Sequence, residues 1–406
     1  MVKNLKVVHL VGGEENSGAF KGANLLHKDL INHNINSKII YEEDNNKFDL
    51  YIKKFRQYYE KSPKIFYPKR ESTSFSSAIT GINFFNNKDY IESDIVHLHW
   101  INNGFFNISS LKHINKPIVW TIRDMWPFTG GCHYTLGCNK YTDLCTSCPQ
   151  LNSAFKNDLS TFNFNRKIKY IKNKKISFVV NSNWMNDMSK KSKILKNETI
   201  YTFFPSFDLK NYFRDYDQSI RERLNIKKNK KIILFGAQNI EAKYKGFEYF
   251  LDSINYLEKS KYIIIFFGHF WNEKLIKDKG IEFINLGFVN DVNFQRKLYS
   301  ISDLFIACSL QEGFPKTVAE SLLCKTPVVY FKETAIEDIC DHKNIGGYGA
   351  EYCNSKDLSE GIKWLSNKSN YTKNLVDSAA KKIIEKFNSK ILVNKYVELY
   401  NRLLNR

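Results

Sequence analysis

Residues 303–329 read DLFIACSLQEGFPKTVAESLLCKTPVV, and they decide how this part of the chain folds. An apolar run that ends near Ala307 has the length and composition of a buried strand, and a loop containing glycine and proline follows it. A helix is predicted from about Lys316 and a second apolar strand from Pro327. A strand, a helix and another strand in this order form the repeating unit of an open parallel sheet.

Similar short apolar runs occur in two groups along the chain. The first group comprises residues 5–11, 95–99, 117–122 and 176–181, and the second comprises 231–236, 262–268, 281–286, 303–307 and 327–331. Several of these runs are almost continuously apolar, as parallel strands covered on both faces are. Their alternation with longer amphipathic stretches predicts an α/β fold with two parallel sheets.

The two groups of strands predict two domains, with bounds at residues 1–207 and 208–385. A charged stretch interrupts the alternation, which restarts at Lys231, so we place the linker near residues 205–215. We expect residues 386–406 to form a terminal helix that packs back on the first domain, because apolar residues recur on one of its faces. These residues are Leu392, Tyr396, Leu399, Tyr400 and Leu403.

The composition indicates a folded chain that favours anionic partners. Of 406 residues, 43% are hydrophobic, which excludes a disordered chain. Lys and Arg number 61 and Asp and Glu 42, giving a formal net charge of +19. Such a surplus favours nucleic acid, anionic lipid or phosphorylated small molecules, although a scattered solvated surface explains it equally well.

Neither a secretory signal nor a membrane-spanning segment is expected. The first residues, MVKNLKVVHLVGG, contain only a short apolar run, and no stretch of the chain approaches the roughly 18 apolar residues of a span. We therefore expect a cytoplasmic protein, with attachment to the inner face of the plasma membrane left open. Its eight cysteines are then expected to be reduced unless they bind metal.

Two carboxylates flank the start of the predicted helix at Lys316. Glu312 lies in the loop and Glu320 in the early turns of the helix. Ligands bind outside the carboxyl ends of parallel strands, and a helix N-terminus there suits a diphosphate. Carboxylates at that place can accept hydrogen bonds from sugar and ribose hydroxyls. A glutamate in the first turns of a helix is also favoured without any ligand.

Several segments in a fixed order resemble one large family of enzymes. EGFPKTVAE at residues 312–320 resembles the E-x7-E motif of retaining glycosyltransferases with the GT-B fold, in glycosyltransferase family 4, group 1. The chain is most similar to a bacterial subgroup that builds surface polysaccharides such as capsule, O-antigen lipopolysaccharide and colanic acid. Further matching segments are HLVGG (9–13), VHLHW (96–100), PIVWTIRDMWPFTGGCHY (117–134), CTSCPQL (145–151), FVVNSNWM (178–185), FGAQNIEAKYKGF (235–247) and GIKWL (361–365).

The resemblance implies two facing Rossmann-like domains with an interdomain cleft, and a sugar transfer from a UDP- or GDP-linked donor. The acceptor would be a saccharide, with a lipid-linked saccharide favoured, and the donor phosphate would help to deprotonate it while the anomeric configuration is retained. No catalytic cofactor is expected. Glu312 would contact the donor sugar and Glu320 the ribose. The other donor-binding residues would be Gly12, Gly13, Lys245, Gly313, Phe314, Lys316 and Thr317.

The chain departs from the family pattern at two positions of the expected site. Ala237 stands where many relatives carry an arginine near the donor phosphates, so that Lys245 acts there alone or Lys243 substitutes. Arg123 stands where many relatives carry a histidine beside the reacting sugar, so the role of that histidine cannot simply be carried over.

Candidate residues on the acceptor side follow two predicted strands of the first domain. His99 ends the strand at residues 95–99, whereas His97 on the same face is interpreted as a core histidine. Asp124 and His133 lie in the loop after the next strand. With Glu312 of the second domain, His99, Asp124 and His133 form the expected catalytic group.

The loop after Asp124 is rich in cysteine. Its spacing, C-x5-C-x6-C-x2-C, contains one pair with familiar zinc spacing, so a structural zinc is one interpretation, with His133 as a further ligand. Packed free thiols and a labile disulfide are the alternatives. The cysteines are Cys132, Cys138, Cys145 and Cys148.

Residues 51–70 combine seven basic residues and one acid with interleaved aromatic side chains. Such a stretch suits an anionic membrane surface. It also suits RNA, or a solvated helix with one packed side. We favour the membrane, because acceptors of polysaccharide synthesis are usually lipid-linked.

Other functions remain open at this point. A nucleotide-sugar epimerase of the same fold is expected to lack the E-x7-E motif in this setting. A nucleic-acid-binding protein with a cysteine metal module is disfavoured, because the basic residues do not cluster beside the cysteines, and we expect no nucleic-acid partner. An inactive sugar-sensing relative is a third alternative, given Arg123 and Ala237.

Overall fold

The structure is a computed structural model of the chain. It describes residues 5–15, 17–42, 47–207, 209–367 and 373–405. Within them, none of the helices combines the length and the apolar character needed to cross a bilayer.

The chain divides into two compact units. Unit 1 contains residues 1–206 together with 387–406, and unit 2 contains residues 207–386. The last helix of the chain therefore belongs to the same unit as the first strands.

Unit 1 is built on a six-stranded sheet in the order β2-β1-β3-β4-β5-β6, with every neighbouring pair parallel. The strands are β1 (Lys6–Leu10), β2 (Asn36–Ile40), β3 (Ile95–Leu98), β4 (Ile118–Ile122), β5 (Ile176–Val180) and β6 (Ile200–Thr202). The first helices are α1 (Gly18–Asn32), α2 (Lys47–Lys61), α3 (Lys88–Glu92), α4 (Leu159–Ile171) and α5 (Asn183–Lys191). The sheet is parallel, as the continuously apolar strand sequences predicted.

Unit 2 contains a seven-stranded sheet in the order β12-β13-β11-β10-β7-β8-β9. Its strands are β7 (Lys231–Asn239), β8 (Tyr262–His269), β9 (Glu282–Asn285), β10 (Leu304–Ala307), β11 (Val328–Phe331), β12 (Asp341–His342) and β13 (Gly346–Ala350). Its helices are α6 (Gln218–Arg223), α7 (Phe247–Ser253), α8 (Lys274–Lys277), α9 (Val292–Ile301), α10 (Lys316–Leu323), α11 (Ser355–Ser366) and α12 (Lys373–Lys386). Each unit is thus a Rossmann-like α/β domain.

The last helix, α13 (Ser389–Leu404), completes the core of unit 1. Four of the five residues predicted on its apolar face are buried, and Leu403 is partly buried. They pack with residues of β1, β3, β4 and β5. Two tyrosines add polar contacts: the hydroxyl of Tyr400 lies 2.7 Å from His97 Nδ1, and that of Tyr396 lies 2.9 Å from Thr121 Oγ1.

All nine strands predicted from apolar runs are present. Four others were not predicted: β2, β6, β12 and β13. The helix expected from about Lys316 begins at that residue.

Candidate active site

The end of β10 is held against a turn from another part of unit 2. A short 3-10 turn spans Lys243–Lys245 and ends at Gly246, whose φ is +67°. A Cβ on Gly246 would lie 2.0 Å from the carbonyl oxygen of Cys308, so only glycine permits this approach. The N–H of Leu310 donates to the carbonyl oxygen of Tyr244 at 2.8 Å. These contacts fix the turn beside the loop that follows β10.

This arrangement brings together Lys245 and Glu312, two of the predicted site residues. Lys245 Nζ lies 2.6 Å from Glu312 Oε2, and each side chain is 16% exposed. Ser309 Oγ donates to the same carboxylate oxygen at 3.1 Å. Burial lowers the pKa of Lys245, but Glu312 together with Tyr244 and Cys308 outweighs burial, and the pKa of Lys245 is raised. Lys245 therefore stays a cation, available to an anionic ligand.

Lys245 and Glu312 line a small depression at the carboxyl ends of β7 and β10. Ala237, at the position where relatives carry arginine, forms part of its wall, as do Pro315 and Thr317. Lys243 is exposed and does not line the depression. Of the two lysines in that turn, Lys245 is therefore the one that lies at the predicted phosphate position.

Glu320 has different surroundings from Glu312. It lies on α10 and is 4% exposed. The hydroxyl of Tyr299, on α9, donates to Glu320 Oε2 at 2.9 Å, while Lys316 Nζ is 3.7 Å from Oε1. Burial raises the pKa of Glu320. Sequence reasoning missed Tyr299, because its contact with Glu320 depends on the packing of α9 against α10.

The start of α10 is shaped by the segment Gly313–Pro315. Pro315 precedes the first helical residue, and the N–H of Lys316 donates to the carbonyl oxygen of Phe314 at 2.9 Å. Thr317 follows in the first turn, where helices leave N–H groups without intrahelical partners. Thr317 lines the depression with Glu312, as the anion-binding interpretation of this helix requires.

In unit 1, Gly12 and Gly13 follow β1 where the chain approaches its neighbours closely. The N–H of Gly12 donates to the carbonyl oxygen of Trp100 at 2.7 Å, and a Cβ there would lie 2.8 Å from Asn102 O. A Cβ on Gly13 would lie 2.5 Å from Oγ of Ser17, the residue that caps α1. Both glycines are thus explained by packing within unit 1, and their donor contact stays a prediction.

His99 points into a cluster of histidines. It is 1% exposed, and its Nε2 lies 2.8 Å from His9 Nδ1. Arg123 NH2 lies 3.3 Å from His99 Nδ1. Burial, followed by His97 and Arg123, places the pKa of His99 well below its usual value. His99 is therefore neutral, and its role on the acceptor side stays a prediction.

The interpretation of His97 as a core histidine agrees with its surroundings. It is fully buried, its Nδ1 meets the hydroxyl of Tyr400, and its Nε2 meets Thr121 Oγ1 at 2.7 Å. Arg123, the residue that departs from the family pattern, packs nearby against α1. A Cβ on Gly22 would lie 2.8 Å from Arg123 NH1, so the glycine leaves room for the guanidinium.

Asp124 and His133 form a closely bonded pair. His133 Nδ1 lies 2.6 Å from Asp124 Oδ2. Trp100 Nε1 donates to the same oxygen at 2.9 Å, and the N–H of Trp126 donates to Oδ1 at 2.9 Å. The other ring nitrogen of His133 lies 2.9 Å from Ser76 Oγ. The sequence predicted Asp124 and His133 as site residues, but it predicted neither their contact nor Ser76, which lies 48 residues before Asp124 along the chain.

The four cysteines of the loop line one pocket in unit 1, together with Phe75 and Tyr141. Three of them are buried, and Cys138 is half-buried. Close by, the buried amino group of Lys167 donates to the carbonyl oxygens of Trp126 and Thr129, and burial lowers its pKa to about 7. The fold therefore gathers these thiols around one space beside a buried lysine.

The pocket does not include His133, whose ring nitrogens lie against Asp124 Oδ2 and Ser76 Oγ, and its role as a further zinc ligand stays a prediction. Among the residues that the structure describes, one group of three donor side chains has its ligand atoms within 4.8 Å of one another. It consists of His9, His97 and His99. A zinc ion at the four cysteines stays a prediction.

Comparisons with known proteins agree with this geometry. Residues 217–382 match the family described as glycosyl transferases group 1. A relative from Campylobacter jejuni, N,N'-diacetylbacillosaminyl-diphospho-undecaprenol alpha-1,3-N-acetylgalactosaminyltransferase, is 29% identical over 205 residues. The matched part covers 48% of this chain and 52% of the relative, so the chain spans about half of the relative's length.

Two solved structures resemble the chain over nearly its whole length. Sucrose-phosphate synthase from Thermosynechococcus elongatus has a TM-score of 0.69 and 13% identity, covering 98% of this chain and 99% of its own. Anabaena HepE in complex with UDP and glucose has a TM-score of 0.61 and 14% identity, covering 98% and 100%. These likenesses confirm the predicted α/β GT-B fold. The segment that matches the glycosyl transferases group 1, residues 217–382, contains Lys245, Glu312 and Glu320.

Proposed function

We propose that the protein transfers a sugar from a nucleoside-diphosphate sugar to a saccharide acceptor, with retention of configuration, in the synthesis of a cell-surface polysaccharide such as capsule or lipopolysaccharide. The observation that carries the proposal is the contact between Lys245 and Glu312 beside the start of α10. It lies inside the segment that matches the group 1 family. The UDP in the Anabaena HepE structure supports a UDP-linked donor, with a GDP-linked donor as the alternative.

The residues of unit 2 fit the three parts of such a donor. Lys245 supplies a cation for the diphosphate, and the start of α10 adds N–H groups at Thr317. When the diphosphate attracts Lys245, the Glu312 carboxylate becomes free to accept hydrogen bonds from sugar hydroxyls. Glu320, fixed by Tyr299, accepts from the ribose hydroxyls. Charge and hydrogen bonds are thus distributed along the donor in a fixed order.

A thermal-stability screen tests the donor class. UDP, GDP, UDP-glucose, UDP-N-acetylglucosamine and GDP-mannose are added separately to the purified protein. A ligand at 100 times its dissociation constant stabilises the folded state by about 2.7 kcal/mol, so the midpoint of unfolding should rise for one nucleotide class. If none of the nucleotides raises the midpoint, the proposed donor site is wrong.

We propose further that the acceptor is lipid-linked and that α2 with the following turn contacts the cytoplasmic face of the membrane. The Campylobacter relative is named for a diphospho-undecaprenol acceptor. Residues 48–66 expose large apolar side chains, with exposed fractions of 40% to 83%. They are Phe48, Tyr51, Ile52, Phe55, Tyr58, Tyr59, Ile65 and Phe66. Apolar area beside lysines suits an anionic bilayer surface.

Two cations expected on this surface are engaged elsewhere. Arg56 forms an ion pair with Glu42, and both side chains are largely buried. Lys64 Nζ donates to the carbonyl oxygen of Phe75 at 3.0 Å, and burial lowers its pKa. Lys54 and Lys61 are exposed and Lys53 is half-buried, and these three lysines remain candidates for contact with lipid headgroups.

A structural zinc at the four-cysteine pocket remains our proposal for that loop. Zinc bound by four thiolates carries net negative charge, which would favour the protonated form of the buried Lys167 amine beside it. About one zinc per chain should copurify with protein prepared without a histidine tag, as measured by elemental analysis. Cys148→Ser should lose the metal, whereas Cys353→Ser, outside the pocket, should retain it. Metal-free protein with four titratable thiols in the loop would contradict this proposal.

A further inference from the structure

The exposed phenylalanines of unit 1 are confined to two segments of the chain that the structure describes. One segment is the surface at residues 48–66. The other follows the four-cysteine loop, where Phe155 is 76% exposed and Phe162 53%. Every other phenylalanine in the described part of unit 1 is buried or half-buried. Large apolar side chains that are gathered in this way, rather than scattered singly, are typical of an interaction surface.

The cysteine loop fixes the backbone of Phe155. The N–H of Ser147, which lies between Cys145 and Cys148, donates to the carbonyl oxygen of Phe155 at 3.1 Å. The N–H of Ser153 donates to the carbonyl oxygen of Cys148, also at 3.1 Å. The backbone of Phe155 is therefore held against the loop, while its side chain is left uncovered.

The start of α4, which carries Phe162, is joined to the same loop by one carboxylate. Asp158 precedes the helix, and its Oδ1 accepts from the N–H of Ser160 at 2.9 Å. Its Oδ2 accepts from the N–H of Cys148 at 2.7 Å. The helix that carries Phe162 and the loop that holds Phe155 are therefore fixed to each other.

This second segment adjoins the surface at residues 48–66. The N–H of Leu159, the first residue of α4, donates to the hydroxyl of Tyr67 at 2.9 Å. Tyr67 directly follows Phe66, whose side chain is 83% exposed. The exposed phenylalanines of the two segments therefore belong to adjoining parts of unit 1.

The surroundings of the exposed rings carry a surplus of positive charge. Residues 64–71 and 153–162 expose three cations and one acid, which are Lys69, Arg70 and Lys156, and Glu71. Exposed Lys169 lies seven residues after Phe162 on α4, and therefore on the same face of that helix. Aromatic rings beside exposed cations complement the headgroup layer of an anionic bilayer.

We propose that Phe155 and Phe162 form a second membrane-contacting segment, which enters the headgroup layer of an anionic bilayer beside residues 48–66. The proposal rests on the membrane contact proposed above. Because the cysteine loop already holds the backbone of Phe155, insertion of the ring orders little additional chain. The exposed lysines beside the rings contact the lipid phosphates.

Vesicle binding tests the contribution of the two rings. Cosedimentation with vesicles of phosphatidylcholine and phosphatidylserine at low salt is measured for the wild type, Phe155→Ala and Phe162→Ala. Removing a ring that lipid covers should weaken binding roughly 10-fold in each variant. Ile91→Ala is the control, because Ile91 is 61% exposed on α3 of the same unit, and it should bind as the wild type does. Wild-type affinity in both phenylalanine variants would overturn the proposal.

A photolabel tests whether the segment enters the bilayer. The hydrophobic reagent 3-(trifluoromethyl)-3-(m-iodophenyl)diazirine concentrates in lipid and is activated by light after the protein has bound to vesicles. Trypsin cleaves after Lys156 and Arg166, so Phe155 and Phe162 fall on different peptides. Both peptides should gain label when vesicles are present, whereas the peptide that contains Ile91 should not. Equal labelling with and without vesicles would contradict insertion.

The outcomes separate this inference from the proposed function. If glutamine at Lys53, Lys54 and Lys61 weakens vesicle binding but Phe155→Ala and Phe162→Ala do not, the membrane contact of α2 stands and the second segment is wrong. If the two phenylalanine variants lose affinity for single-stranded RNA and not for vesicles, the surface binds nucleic acid and the proposal is overturned.

The donor site provides an internal check on both phenylalanine variants. The depression that contains Lys245 and Glu312 is formed by residues of unit 2, so the nucleotide found in the thermal screen should stabilise Phe155→Ala and Phe162→Ala as it does the wild type. A wild-type protein that binds this nucleotide but no vesicles would overturn the membrane contact and leave the donor class supported.

Discussion

At the scale of single residues, Glu312 and Glu320 have separate partners although they belong to one motif. Glu312 contacts a lysine whose raised pKa keeps it charged, and Glu320 contacts the hydroxyl of Tyr299. Each carboxylate also has the other kind of partner, Ser309 at Glu312 and Lys316 at Glu320, but the lysine contact is 2.6 Å at Glu312 and 3.7 Å at Glu320, so a ligand that attracts the lysine changes Glu312 more. We therefore expect the two residues to differ in which step of the reaction they serve.

Replacing Glu320 should weaken nucleotide binding. Hydrogen bonds to charged groups contribute about 1.5–3 kcal/mol, so Glu320→Ala should raise the dissociation constant for the free nucleoside diphosphate by that free energy. Titration calorimetry measures it, and circular dichroism confirms folding. Glu360→Ala, an exposed glutamate of α11, is the control. An unchanged affinity in folded Glu320→Ala would exclude this residue from the site.

Replacing Glu312 should affect turnover and not nucleotide binding. If Glu312 contacts only the donor sugar, Glu312→Ala leaves Lys245 free for the diphosphate and preserves its affinity. Loss of one contact that strengthens in the transition state lowers kcat by about 100-fold or more. Lys245→Ala should show the opposite pattern, with weaker binding of the diphosphate. Equal loss of diphosphate binding in both variants would show that Glu312 does not contact the donor sugar alone.

At the scale of elements, the sequence predicted strands where apolar runs are continuous. The strand β13 was not predicted because its sequence is GGYGA, and glycine is depleted in strands. The structure explains that composition: a Cβ on Gly347 would lie 1.9 Å from the carbonyl oxygen of Val328 on β11. β2 has an exposed first residue and alternating burial, so it lacks a continuous apolar run.

In the candidate site, too, residues close together in the sequence could be predicted, whereas contacts between residues far apart in the sequence could not. Glu312 and Glu320 follow from one strand, loop and helix, so their placement could be predicted. Ser76 and Tyr299 meet their partners across 57 and 21 residues of chain. No local pattern marks such contacts, because the packing of separate segments creates them.

The helix α2 and the turn after it carry a prediction about lipid binding. Each lysine near an anionic bilayer contributes about 1 kcal/mol, so Lys53→Gln, Lys54→Gln and Lys61→Gln together should weaken binding on the order of 100-fold. Cosedimentation with vesicles containing phosphatidylserine at low salt measures this. Glutamine at Lys190, Lys191 and Lys196, exposed elsewhere in unit 1, removes equal charge and should have little effect. If the wild-type protein does not cosediment with such vesicles, the proposed membrane contact is contradicted.

At the scale of the whole molecule, unit 1 is assembled from both ends of the described chain. Residues 387–406 join residues 1–206 in one compact unit. The buried side of α13, which follows unit 2 in the sequence, packs against residues that precede unit 2, among them Leu5 and Phe203. The stability of the first sheet therefore depends on residues that follow the second one.

A substitution on the buried side of α13 should destabilise unit 1. Leu399 is 2% exposed, and Leu→Ala changes in a core cost about 2–5 kcal/mol. Leu399→Ala should lower the free energy of unfolding by that amount in urea, whereas Ile391→Ala, at 45% exposure on the same helix, should change it by less than about 0.5 kcal/mol. Similar effects of both substitutions would contradict the packing of α13.

The place of α13 also sets an order for biosynthesis. While residues 387–406 are still being synthesised, the nascent chain already contains all of unit 2, whose residues are continuous from 207 to 386. Domains usually fold as they emerge, the N-terminal one first. Here the apolar face around Leu5, Val7 and Ile95 must wait for Tyr396 and Tyr400, so the second domain can finish before the first. During that interval, the uncovered face is a binding surface for chaperones.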